Sequence, residues 1–91
     1  MKNTVLKKIN KTYEKMGEKY LVLANGNQMI TLNEIAFYMW QNCDGKTVDE
    51  LAAYIYEQII NKEEVTIEQI ENDCKNVIEA ICKAGLVQEI D

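Results

Sequence analysis

By residue type, the candidates for chemistry in this chain are three cysteines, Cys43, Cys74 and Cys82. A thiolate serves as nucleophile or soft metal ligand only with a base, a cation or companion ligands beside it. The spacing supplies none of these. Cys74 and Cys82 lie within one helical pattern, roughly 12 Å apart along its axis at ~1.5 Å per residue. That is too far for a disulfide or a shared tetrahedral metal. Cys43 could approach one of them, yet the chain has no C-x-x-C pair and no histidine to complete a zinc site. An odd cysteine count also argues against a secreted disulfide framework. The three are expected to be plain buried thiols, and no metal or cofactor is expected.

The missing residue types narrow the function further. Without histidine the commonest general base is gone, and without arginine the usual bidentate reader of phosphate and guanine is gone. The chain also lacks serine, which excludes a carrier protein needing phosphopantetheine attachment, and it lacks proline. No nucleophile stands beside a base in a recognisable motif, so an enzyme is not expected. Charge is uneven. Residues 1–19 hold six lysines and two glutamates, whereas residues 20–91 hold four lysines and thirteen acids, for a net −5. The lysine-rich start could steer an acidic partner segment, or it is simply a solvated, frayed end.

Ninety-one residues, 47% of them apolar, predict one globular domain spanning 1–91, with residues 1–8 as a flexible basic arm. No apolar run approaches the roughly 20 residues of a membrane span. The N-terminus lacks the apolar stretch of a signal peptide, so a cytoplasmic protein is the default expectation.

The elements that position any site are spelled most clearly between Met29 and Ile55. Leu32 closes an apolar strand pattern, and Asn33 is a good N-cap for the helix that follows. Leu32 and Phe37 occupy the N′ and N4 positions of a hydrophobic staple. Asp44-Gly45 stops that helix, and Thr47-Val48-Asp49-Glu50 is a capping box opening the next. Upstream, Met16-Gly17-Glu18 looks like a turn, and Tyr20 to Ala24 is β-prone. Asn25-Gly26 is the strongest short hairpin signal available. A two-residue loop there pairs Leu23 with Gln28, Val22 with Met29 and Leu21 with Ile30. Leu21, Leu23, Ile30 and Leu32 would then face the helices, and Tyr20, Val22, Met29 and Thr31 the other side. A preceding strand is expected around Ile9 to Lys15.

Three helices follow. The first runs from Glu34 to about Cys43, with Ile35, Ala36, Met39 and Trp40 inward. The second starts at Val48 with Leu51, Ala52, Ile55 and Ile59 at helical spacing. Asn61 to Glu64 is a polar connection. Thr66 to Gln69 is a second capping box, opening a long helix with Ile67, Ile70, Cys74, Val77, Ile78 and Ile81 on its apolar stripe. Gly85 stands where a C′ glycine belongs, and Leu86, Val87 and Ile90 suit a short closing strand. The fold class predicted is α+β, a three-stranded antiparallel sheet followed by three helices, winged helix-turn-helix in flavour. Trp40 is expected as a core anchor. Tyr54 and Tyr56 cannot both face inward, which leaves one as a surface aromatic.

These residues resemble a known family. Ile30, Leu32, Asn33, Ala36 and Trp40, then Cys43 to Gly45, Thr47, Val48 and Glu50 to Ala52, then Ala84 to Val87, follow the pattern of the PqqD-like proteins from about Tyr20 to Val87. The resemblance implies a RiPP recognition element, a domain that binds the leader of a ribosomally made precursor peptide. It also implies a partner enzyme, a radical-SAM protein or a leader peptidase, to which the leader is presented. The leader would add as a further strand along the third strand of the sheet, in a groove walled by the third helix. On this chain that places peptide binding at Gln28, Met29, Ile30, Thr31 and Leu32, with Glu71, Cys74, Lys75 and Ile78 opposite. The physics agrees with the first half of that set. Met29 to Leu32 ends a hairpin with no later β-run long enough to cover its edge, and an open edge invites strand addition. Cys74, Val77 and Ile78 also read as ordinary core, and Glu71 with Lys75 as a surface pair or as a selector of leader charge.

Two rivals stay open. A winged helix invites DNA binding, but a helix opening with Glu68, Glu71 and Asp73 in an acidic chain has the wrong sign for phosphates. A general protein-interaction module that never meets a leader is separated only by the family resemblance.

Overall fold

A computed structural model of the chain describes residues 4–58 and 64–90. Ile59, expected on the second helix, and Asn61 to Glu63 of the expected connection lie outside the described residues. The elements are β1 (Val5–Lys8), β2 (Tyr13–Met16), β3 (Lys19–Leu23), β4 (Met29–Asn33), α1 (Glu34–Asn42), α2 (Val48–Gln58), α3 (Ile67–Lys83) and β5 (Val87–Ile90). β2, β3 and β4 form an antiparallel three-stranded sheet in that order, and the three helices follow it. The α+β expectation is met.

The β3–β4 hairpin differs from the expected one by a single residue. Asn25–Asn27 form a tight turn in which both Gly26 and Asn27 are left-handed, at φ 70° and 62°. The pairs are therefore Leu23 with Met29, Val22 with Ile30, Leu21 with Thr31 and Tyr20 with Leu32. Because side chains alternate, a one-residue slip turns a strand over. β4 keeps its expected facing, with Leu32 buried and Ile30 half-buried, but β3 presents Val22 and Tyr20 to the helices. Leu21 and Leu23 take the other face and are only half-buried. The turn is held from outside. The Asn25 N–H donates to the Ala84 carbonyl at 2.9 Å, and the Asn25 side chain lies where a Cβ on Gly85 would sit. Gly85 also has φ +84°, so only glycine serves there.

The expected early strand forms at Tyr13–Met16. A further strand arises where an arm was expected. Val5–Lys8 pairs antiparallel with β5, Leu6 facing Glu89 and Lys8 facing Val87. Its other edge is tied to the α1–α2 turn. The Leu6 N–H donates to Lys46 O and the Gly45 N–H to Leu6 O, both at 2.8 Å, and the Lys8 N–H donates to Asp44 Oδ1 at 2.9 Å. Residues 5–8 are thus a strand bonded on both sides, with Leu6 fully buried. An unpaired backbone group inside a fold costs about as much as a lost hydrogen bond, so this pairing is strongly favoured once Leu6 is buried.

Helix starts follow local chemistry. Asn33 Oδ1 accepts from the Ala36 N–H at 2.8 Å. Thr47 and Glu50 exchange both capping-box bonds, at 2.9 and 3.1 Å. Thr66 and Gln69 do the same at 2.9 and 3.2 Å. Asn33→Ala and Thr47→Ala are each expected to cost about 0.5–2 kcal/mol of stability. Denaturant midpoints should fall at unchanged slope, and two unmoved midpoints would show that these caps contribute nothing.

The core gathers Val22 and Leu32 from the sheet with Met39, Trp40, Leu51, Ile55, Cys74, Ile78, Ile81 and Leu86. Trp40 is fully buried and its Nε1–H donates to Leu86 O at 2.9 Å. Its anchoring role is as expected. Phe37 stacks on Tyr20 with ring centroids 3.7 Å apart, and Tyr13 meets Phe37 and Trp40 edge-on. Ile35, expected inward, is 53% exposed. Tyr54 and Tyr56 share one outcome rather than splitting, since both are half-buried against the core.

Candidate functional site

β4 is an edge strand, and among the described residues nothing pairs with its outer side. Hydrogen bonding alternates along an antiparallel pair. Ala24 N–H donates to Gln28 O at 2.6 Å, so Gln28, Ile30 and Leu32 are the residues bonded to β3. Met29 and Thr31 therefore turn both their N–H and C=O outward, and Asn33 its N–H. Gln28, Met29 and Thr31 are exposed. The expected strand thus offers its open backbone groups at Met29 and Thr31. Asn33, which the sequence reading assigned only to capping, supplies one more.

α1 packs against both β4 and α3, and a groove lies between the β4–α1 junction and the long helix. It is lined by Asn33, Ile35, Asp73, Asn76 and Val77. The expected α3 residues are placed as follows. Cys74 and Ile78 are fully buried in the core and present no surface. Glu71 is half-buried and Lys75 exposed, but neither lines this groove. Asp73, Asn76 and Val77, at i, i+3 and i+4, border this groove on α3. The signal for them was present in the apolar stripe: once Ile70, Cys74, Ile78 and Ile81 face inward, the flank at 73, 76 and 77 must border it. Which flank meets β4 depends on packing, and periodicity is silent on that.

The thiols behave as buried groups. Burial pushes Cys74 up to about 12, with the charges of Asp73 and Glu71 adding to the effect. Burial likewise raises Cys43 to about 11, followed by the charge of Asp44. Cys43 Sγ donates to Trp40 O at 3.2 Å. Cys82 is half-buried and also raised to about 11, by burial and then by Glu89. A thiol held this far above neutrality is a poor nucleophile and a poor metal ligand. Among the described residues no group of three or more His, Cys, Asp or Glu side chains is placed to hold a metal ion. Among the same residues no helix is long and apolar enough to cross a membrane.

What this arrangement can do is bind an extended chain. It offers open strand groups on one side, a half-apolar helix flank on the other, and a negative surface from Asp73 and Glu34. Residues 18–87 match the family model described as coenzyme PQQ synthesis protein D (PqqD). No curated protein and no solved structure matches the chain.

Proposed function

The chain belongs to the PqqD family, and from that premise we propose that it is a non-catalytic RiPP recognition element. It binds the leader of a ribosomally made precursor peptide as an added strand on β4 and presents it to a modifying enzyme, a radical-SAM protein or a leader peptidase. The observation that carries this is the open edge of β4, where Met29, Thr31 and Asn33 turn backbone groups away from β3, together with a groove that runs from Asn33 to α3. We place the groove's helix wall at Asp73, Asn76 and Val77 rather than at Cys74 and Ile78. Free thiols suit action in a reducing cytoplasm.

The energetics are adequate. Four or five backbone hydrogen bonds at a net ~1 kcal/mol each contribute about 4–5 kcal/mol. An apolar leader side chain over Ile35 or Val77 adds about 1.5–3 kcal/mol if fully covered. After association costs, a dissociation constant in the low-micromolar to submicromolar range is expected, near −8 kcal/mol. DNA binding fits less well. α3 exposes Glu68, Asp73 and Glu79 against Lys75 and Lys83, and acids repel phosphates.

Gene neighbourhood supplies the test ligand: a short precursor gene beside a modifying-enzyme gene is expected. Its leader, titrated into labelled protein, should shift the amides of residues 29–33 and of α3 and slow exchange at Met29 and Thr31. Shifts confined to α1 and α2 would rule out strand addition. No binding at tens of micromolar would rule out the recognition-element function altogether.

A further inference from the structure

The groove does not stop at Asn33. Asn33 and Ile35 also line an adjoining recess whose other walls are Glu18, Lys19 and Glu34. Ile35, 53% exposed at the start of α1, therefore stands between the two. With the half-buried Val77 it offers an aliphatic floor, flanked by Asp73 on the α3 side and by Glu18 and Glu34 on the other. Lys19 is the one cation among these lining residues. The N-terminus of α1 favours anions, but Asn33 caps it and Glu34 sits in its first turn, which offsets that field. A strand added along β4 must leave the edge at Asn33, because the backbone there turns into α1. Ile35 is the exposed apolar side chain just beyond that point.

Resting on the strand-addition function above, we propose that the groove between Ile35 and α3 selects a lysine or arginine of the bound leader. The methylene stem lies across Ile35 and Val77, and the charged head reaches Asp73. Long cationic side chains cover apolar surface in this way while keeping the head in water. An acidic residue at the same place meets Asp73, Glu18 and Glu34 with only Lys19 to offset them. The selection is one of specificity and register more than of raw affinity, since exposed pairs are weak. It places charge recognition on Asp73, beside the Glu71–Lys75 pair that spacing alone suggests.

Random peptides of strand length, displayed and panned on the full chain, test this without knowledge of the natural leader. Binders that slow amide exchange at Met29 and Thr31 are kept and aligned. Lysine or arginine should be enriched at one register position. In the best such peptide, changing that residue to glutamate should weaken binding about two- to fivefold at low salt. Asp73→Lys should weaken the parent peptide by a similar factor and restore the glutamate peptide, a coupling that separates contact from indirect effects. Asp73→Asn, which keeps the shape of the exposed side chain, should lose the preference without reversing it. Peptides that protect β4 but carry no basic bias, or a glutamate peptide that Asp73→Lys does not rescue, overturn charge selection and leave strand addition standing. If no recovered peptide protects Met29 and Thr31, strand addition itself fails, and this proposal fails with it.

Discussion

Thr31→Pro is expected to weaken leader binding at least roughly tenfold while leaving the fold in place. The Thr31 N–H points to the open side of β4 and is not used by β3. Proline is tolerated on an edge strand when its nitrogen faces solvent. The substitution removes one donor from the binding edge and puts a ring where the incoming strand must lie. Loss of the bond alone is worth about 1 kcal/mol, and the steric block adds to it, so at least a roughly tenfold loss of affinity is expected. Ile30→Pro is the internal contrast. Its nitrogen bonds to β3, so it should lower stability by about 1–3 kcal/mol through an unpaired carbonyl on Val22. Thr31→Val keeps the donor and should bind nearly as the parent does. Isothermal titration with the leader, beside thermal melts of all three variants, decides the matter. Wild-type affinity in a folded Thr31→Pro protein would mean that the leader binds elsewhere.

Trp40→Ala should leave little folded protein at room temperature. The side chain is fully buried beside Tyr13 and Phe37, with its indole N–H bonded to Leu86 O and the Lys8 ammonium 5.1 Å from its ring centroid. Truncating a buried tryptophan costs about 3–5 kcal/mol. A domain of this size has only about 5–15 kcal/mol in total, at the low end when no disulfide or metal braces it. Trp40→Phe should be much milder, at about 1–2 kcal/mol. It keeps a ring against Tyr13 and Phe37, and Leu86 O still accepts from the Ile9 N–H at 2.9 Å. Far-ultraviolet dichroism and urea midpoints read both variants. A Trp40→Ala protein within about 1 kcal/mol of the parent would contradict the packing of α1 described above.

Every helix boundary that rests on neighbours within four residues is legible in the sequence. Asn33, Thr47 and Thr66 cap the three helices because each side-chain oxygen reaches the amide three positions on, a geometry independent of the rest of the fold. The strand order and the open edge of β4 follow from the same local signals. The inward stripe of α3 at Ile70, Cys74, Ile78 and Ile81 is legible too. Tertiary structure decides what depends on partners far along the chain. The turn at Asn25–Asn27 takes one residue more than Asn25-Gly26 alone suggests, and Asn25 is bonded there to Ala84. That extra residue turns β3 over, so Val22 rather than Leu21 or Leu23 enters the core. Val5–Lys8 carries charges typical of a solvated end, yet it becomes a strand because β5 and the Asp44–Lys46 turn together present bonds on both of its sides. The groove at the β4–α1 junction shows the same division. Its end at Asn33 follows from the local cap, whereas the α3 residues that border it are Asp73, Asn76 and Val77. A helical period fixes which residues share a face, and only packing against α1 and α2 fixes how far that face is rotated toward β4.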